Sequence, residues 1–223
     1  MTGTEIRDRN WTLAGLAVAL GGIPIAVFAY YRLGGPAGGT MPILIREAAI
    51  FVLVALLLWI VLKRERLPLA SIGLSSDRLG RSLLWGLAGF VLLAAGVAAS
   101  LGLLGLLGLS YGGGDSGRAV VPVGVTLLVF LRAGIAEEIF YRGYAIERLE
   151  ALTGSRIVAV LLPLACFALF HLRQGIAGVL IALILGAIMT GFYLWKRNLA
   201  ANIIAHFLID FVPNILLPLV AGD

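Results

Sequence analysis

Hydrophobic residues along this chain come in long, nearly unbroken runs. A helix needs roughly 20 apolar residues to cross about 30 Å of hydrocarbon. Seven runs approach that length, at residues 11–31, 48–62, 82–109, a fourth from about 119, then 157–172, 176–195 and 199–220. The second is short unless it reaches back past Arg46 and Glu47 toward Met41, and the fifth is short too. The third is rich in Gly and Ala, which lets helix backbones approach closely. No ten-residue alternating segment occurs, so the pattern predicts helices rather than a barrel. The expected fold is all-α, a polytopic transmembrane bundle of about seven spans, with six to eight as the range.

Polar breaks separate the runs. Residues 33–40 are rich in Gly and Pro, and 111–117 hold Gly, Asp and Ser. The stretch 63–81 is basic and weakly amphipathic. It reads equally as a helix on the membrane surface and as a plain loop. With seven spans, the N-terminus and the even-numbered loops share one side. That side would carry twelve Lys and Arg residues, against Arg32, Arg46, Arg118 and Arg173 on the other. Basic loops stay in the cytoplasm, so the N-terminus is expected inside. The first run is too long for a signal peptide and lacks a cleavage site, and is expected to be retained.

Composition agrees with the pattern. The 223 residues are 61% hydrophobic and 13% charged, about half the charge of a soluble domain. A net charge of +5 then belongs to loops beside a bilayer, and no nucleic acid is expected as partner. One cysteine, Cys166, excludes an intramolecular disulfide and a Cys-based zinc site. A buried, inert thiol is expected there.

The charges inside apolar runs are the candidate chemistry. The fourth run holds Arg132, Glu137, Glu138 and Arg142. Each such charge costs about 2.5–3.5 kcal/mol at the bilayer centre, so these residues should pair and face a wet cavity. Glu138 and Arg142 stand four apart, in the favourable order for an ion pair on one helix face. Glu137 points about 100° away. One carboxylate can therefore be held while the other stays free. Taken alone, the pair would equally suit the end of a helix. The only two histidines, His171 and His206, also lie in apolar runs. Asn202, His206 and Asp210 recur at four-residue spacing as one polar stripe, and Pro213 should bend the helix near Ile209.

A carboxylate with an imidazole can activate water and protonate a leaving amine. A second imidazole acting as donor can stabilise an oxyanion. The same four groups, Glu137, His171, His206 and Asp210, could instead hold a divalent metal such as zinc. Both routes end in amide hydrolysis.

Three motifs now stand in order: Glu137-Glu138-x-x-x-Arg142, Phe167-x-x-x-His171 and His206-x-x-x-Asp210. Together they resemble the CPBP intramembrane proteases, which join type II CAAX prenyl endopeptidases to bacteriocin-processing and immunity proteins. The resemblance covers roughly 121–220. It implies a helical bundle around a polar cavity open to the cytosol, in a bacterial or archaeal cell membrane. It divides the chain into N-terminal helices with a basic connector, 1–118, and a catalytic core, 119–223. By the same resemblance Glu137 and His171 activate water, and His206 with residue 210 forms the oxyanion site or completes the polar cluster. Glu138, Arg142 and Asn202 support them. Asp210 stands where the family often has asparagine. An ionised aspartate donates no hydrogen bond, so Asp210 is protonated, orients His206 or binds metal. The implied activity is an intramembrane endopeptidase, metal-dependent or of glutamate type, with zinc or no metal as cofactor. Its implied partners are the bilayer and a membrane protein or peptide substrate, lipidated or not. A non-proteolytic immunity or binding protein and a proton- or cation-coupled transporter are the alternatives. Depth leaves a tension. His171 lies about 22 Å from the start of its helix and His206 about 12 Å from the start of its own, at 1.5 Å per residue.

Overall fold

The structure, a computed structural model, describes residues 8–35, 39–75, 79–111 and 121–221. The described residues form helices and turns, with no strand among them. Helix α1, Arg9–Arg32, starts at Asp8, whose carboxylate accepts from the Asn10 and Trp11 amides. Helix α2, Thr40–Trp59, runs on through a π-helical turn, Ile60–Arg64. The second run does therefore reach back past Glu47. Helix α3 is Leu79–Leu106. Helix α4, Val123–Glu137, continues without a break into a π-helical segment, Glu138–Ile146, and then into α5, Glu147–Thr153. Gly154 ends α5 in the left-handed region, with φ 66°. Helix α6, Arg156–Phe170, passes through a 3-10 turn, His171–Gln174, into α7, Gly175–Lys196. Helix α8, Leu199–Phe211, widens at Pro213 into a π-helical turn, Val212–Leu216, and closes with α9, Leu217–Ala221. The expected bend at Pro213 thus takes the form of a wider helix, because proline removes an amide from the α ladder. Residues 36–38, 76–78 and 112–120 lie outside the described residues, with parts of the expected 33–40 and 111–117 loops, Arg78, Arg118 and the expected start of the fourth run.

Among the described residues five stretches are long and apolar enough to cross a membrane: Arg9–Arg32, Thr40–Arg64, Leu79–Leu106, Arg156–Lys196 and Leu199–Val220. The fourth of these is α6 and α7 folded against each other at the His171 turn. The chain is an integral, all-helical membrane protein. Its polarity is inverted relative to a soluble domain. Ile25, Leu84 and Ile157 each stand about 70% exposed, whereas Glu47, Glu65, Arg132, Glu137, Glu138, Arg142 and Arg148 are buried. Charges out of contact with lipid must pair inside the bundle, and these do.

The nine residues Glu138–Ile146 form the centre, every one of them buried. Phe140, Tyr141, Tyr144 and Ile146 pack there against Leu16, Ile23, Leu57 and Tyr193. The connector after α2 is neither a surface helix nor a plain loop. Ile72 is fully buried, Glu65 accepts from Arg148 Nε at 2.8 Å and from Tyr144 Oη at 2.8 Å, and Arg148 Nη2 donates to Ser71 Oγ at 3.0 Å. Thr12 Oγ1 donates to the same Glu65 at 2.9 Å. This buried group clamps the N-terminal end of the bundle. The small residues of α3 make close contacts as predicted: Gly86 faces Ile204, Gly89 faces Ala205, and Gly96 faces Ile188.

Candidate active site

The central carboxylates sit where the α-helix gives way to the π-helical segment. From Glu138 onward each residue turns through less than the 100° of an α-helix, because the hydrogen bonds run i→i+5. The two carboxylates still face different partners. Glu138, fully buried, accepts from Arg142 Nη1 at 2.8 Å, from Asn202 Nδ2 at 3.2 Å and has His206 Nδ1 at 2.8 Å. Arg142 also lies over the Phe167 ring, 4.2 Å from its centroid, and donates Nη2 to the Gly186 carbonyl at 3.4 Å. Asn202 gives its other amide hydrogen to the Met189 carbonyl at 3.0 Å. Glu138 is thus the node that ties α4, α7 and α8 together.

Glu137 is not left unpaired. Its Oε1 accepts from Arg132 Nη1 at 3.1 Å. Arg132 Nε in turn donates to Glu47 Oε2 at 2.5 Å, and Glu47 Oε1 takes Arg46 Nε at 2.6 Å. A chain of alternating charge therefore runs from α2 to α4. Sequence reasoning expected Arg132 to pair but did not find Glu47. The signal was there, in an acidic residue standing inside an extended second run. Among the described residues Glu137 Oε2 has no hydrogen-bond partner, and it lies 3.9 Å from His206 Nε2.

His206 is reached by α8 coming close to α4. A Cβ on Gly134 would lie 3.1 Å from the Ile203 carbonyl oxygen and 3.3 Å from the Phe207 amide. The two helices can only be this near because residue 134 has no side chain. An ionised carboxylate only accepts, so beside Glu138 the Nδ1 of His206 carries a proton. Its Nε2 points between Glu137 Oε2 and Asp210 Oδ2, the latter 3.8 Å away. That spacing is beyond hydrogen-bond reach, so Asp210 neighbours His206 without a direct bond. The Asp210 carbonyl accepts from Asn214 Nδ2 at 2.8 Å.

His171 caps α6. Its Nδ1 lies 2.8 Å from the Phe167 carbonyl oxygen. A carbonyl only accepts, so Nδ1 is the donor and Nε2 of the neutral ring is left as acceptor. The Phe167 ring touches His171, with centroids 4.9 Å apart, on one side and Arg142 on the other. The four-residue spacing of Phe167 and His171 therefore joins the His171 turn to the Glu138 node.

Glu137, His171, His206 and Asp210 line one cavity of about 430 Å³. A smaller cavity of about 180 Å³ between α3, α6, α7 and α8 shares His171, His206 and Asp210 with it. The depth tension resolves in this cavity. His171 stands on the turn between α6 and α7 and Glu137 and His206 lie within their helices, yet all border the same space. Tyr31, Arg46, Tyr111, Arg173 and Gln174 border it too. They come from the end of α1, the start of α2, the segment after α3 and the α6–α7 turn. The mouth therefore lies at the end of the bundle opposite Thr12, Glu65 and Arg148. At the mouth Arg173 stacks on the Tyr31 ring at 3.5 Å, and Tyr111 Oη reaches Gln174 Oε1 at 3.5 Å.

Zinc binds nitrogen and oxygen ligands at about 2.0–2.2 Å. Among the described residues no three His, Cys, Asp or Glu side chains are grouped to hold a metal ion. His206 Nδ1 is taken up by Glu138, His171 Nδ1 by a backbone carbonyl and Glu137 Oε1 by Arg132. These bonds engage only one atom of each group and do not themselves bar a metal, but as arranged the expected ligand set is not gathered around one point. Cys166 is partly buried on α6 and forms no disulfide.

Residues 119–212 match a family model described as Rce1-like, type II CAAX prenyl endopeptidase Rce1-like. All three motifs fall within the match, and α1, α2 and α3 lie outside it. No curated protein and no solved structure matches the chain.

Proposed function

We propose that this chain, Rce1-like over residues 119–212, is an intramembrane endopeptidase that hydrolyses a peptide bond in a membrane-associated protein or peptide. The observation that carries this reading is the one cavity bordered by Glu137, His171, His206 and Asp210 inside a helical membrane bundle. Glu137 is the working carboxylate. Arg132 occupies Oε1 and so aims Oε2 at the cavity. The 3.9 Å gap from Oε2 to His206 Nε2 suits one water bonded to both groups, as polar contacts beyond 3.5 Å commonly are.

Glu137, with His171 Nε2 beside the same space, takes a proton from that water as its oxygen bonds to the peptide carbonyl carbon. The carbonyl electron pair moves onto its oxygen. Positive charge on the cavity wall, from Arg132 and from His206 when protonated, stabilises that oxyanion. Collapse breaks the C–N bond and passes the proton to the leaving amine. One water is consumed, and a carboxylic acid and an amine are released, which leave as carboxylate and ammonium. Glu138, Arg142 and Asn202 fix His206 and take no part in proton transfer. Asp210 lies across Nε2 from Glu137 and confines the His206 ring. In this reading 119–223 is the chemical core and 1–118 is accessory to it, with Glu47, itself held by Arg46, anchoring Arg132 from the first part.

The test is cleavage of a fluorogenic lipid-anchored peptide, and of its unanchored counterpart, by the full chain reconstituted in vesicles. Glu137→Gln and His171→Ala should each lower turnover by about 10²–10⁴-fold with unchanged helical circular dichroism. Undiminished turnover in both folded variants would remove the proposal.

A further inference from the structure

At the N-terminal end of the bundle, far from the Glu137 cavity, the chain builds a second polar pocket of about 240 Å³. It is bordered by Gly73 and Ser75, the start of α3 and the turn from α7 into α8. That turn is fixed from several sides. Arg197 stands in the left-handed region, φ 48°, and Asn198 caps α8 by accepting from the Ala201 amide at 3.1 Å. Asn198 also bonds Ser82 of α3, with Nδ2 to Oγ at 2.9 Å. The Leu199 amide donates to the Gly73 carbonyl at 2.9 Å. The pocket walls are therefore held by backbone and caps, independently of anything bound.

Its lining is cationic and aromatic: Arg81, Lys196 and Arg197 with Trp85, Trp195 and Ser75. Among the described residues no acidic side chain borders it. Arg197 is neutralised by a contact with Glu147 behind it. Arg81 is exposed and has no carboxylate partner among the described residues. Lys196 Nζ lies over the Trp195 and Trp85 rings, 3.1 and 3.3 Å from their centroids, also without a carboxylate. Two cations with no carboxylate partner among the described residues thus share one concavity with a hydroxyl. Both tryptophans stand at the ends of membrane helices, where indoles sit at headgroup level. Arginine and lysine there are suited to phosphate oxygens.

We propose that this pocket binds a phosphate group, that of an anionic phospholipid headgroup in the leaflet at the N-terminal end of the bundle. The anion sits between Arg81 and Lys196, and Trp85 and Trp195 lie against the glycerol and the first acyl carbons. The pocket stands apart from the hydrolytic cavity, so the proposal does not depend on the proposed activity.

The test is a titration of the full-length chain in zwitterionic detergent micelles, followed by tryptophan emission. The probes are short-chain phosphatidylglycerol, short-chain phosphatidylcholine and inorganic phosphate. Phosphatidylglycerol should saturate, and phosphatidylcholine should bind at least about tenfold more weakly. The Arg81→Gln/Lys196→Gln double variant should weaken phosphatidylglycerol binding by at least about tenfold. Arg156→Gln, which removes one charge at the same end, should leave it unchanged. Inorganic phosphate binding as tightly as phosphatidylglycerol would assign the pocket to free phosphate and overturn the lipid proposal. Equal affinity for the two lipids, or unaltered binding by the folded double variant, would overturn it outright.

Discussion

At the scale of residues, the candidate site works by dividing labour between two adjacent carboxylates. Glu138 receives three partners and is a structural node; Glu137 receives one and keeps an oxygen toward the cavity. Arg132 decides that difference, so it is a positioning residue. Arg132→Gln removes the bond to Oε1 and leaves Glu47 with Arg46 alone. The expected result is a fall in kcat of at least about tenfold with KM changed far less, since the lost interaction orients the general base rather than binding substrate. Arg132→Lys, which restores charge without the planar fork, should recover part of kcat. A merely structural role would lower both variants alike, in step with their folded fraction. Much of this was legible in the sequence. The Glu138–Arg142 pair follows from a four-residue spacing, and so does the alignment of Asn202, His206 and Asp210. The link from Arg132 to Glu47 was not, because it joins positions 85 apart in sequence. Local periodicity says which residues share a face, and it is silent on what that face meets.

At the scale of elements, the sequence announces helices by length and apolarity and hides their irregularities. Nothing in the pattern of 138–146 predicts a π-helical segment, since the i→i+5 bonds are selected by packing and not by propensity. The connector after α2 was misjudged for a related reason. Its basic residues mark it as exposed, yet Glu65 and Ile72 turn inward to meet Arg148 and the core. Helix proximity is the element-level property that the proposed activity depends on. Gly134 holds α4 and α8 at a separation that brings His206 Nε2 to 3.9 Å from Glu137. The atoms facing it are backbone, an Ile203 carbonyl and a Phe207 amide, which cannot rotate away. Gly134→Ala therefore forces the helices apart by a few tenths of an ångström. Overpacking of this kind costs about 1–3 kcal/mol. The expected outcome is a lowered unfolding midpoint together with a loss of turnover larger than the fall in folded protein explains. Gly191→Ala, at an open position, serves as the control with both values unchanged.

At the scale of the whole molecule, two expectations collide. Basic residues favour an N-terminus in the cytoplasm, and family resemblance favours a cavity open to the cytosol. The two pull apart, because the residues at the rim of the cavity stand at the end of the bundle opposite the start of α1. Tyr31 is the next-to-last residue of α1, and Arg46, Tyr111 and Gln174 stand at the same end. Among the described residues the N-terminal end carries Arg9, Lys63, Arg64, Arg66, Arg81, Arg148, Arg156, Lys196 and Arg197, against Arg32, Arg46 and Arg173 at the mouth. The bias survives pairing: removing Arg148 and Arg197, held by Glu65 and Glu147, and Arg46, held by Glu47, leaves it intact. Orientation follows cationic loops within a short distance of the spans, so the charge argument acts directly on this chain, while the resemblance acts only by analogy. The mouth is therefore expected on the non-cytoplasmic side, with substrate reaching the Glu137 cavity from there. Single cysteines in a Cys166→Ala background measure this. In intact cells a membrane-impermeant maleimide should label Gln174→Cys directly and Lys63→Cys only after permeabilisation. The reverse order would put the cavity on the cytosolic side and make this chain an exception to the charge rule.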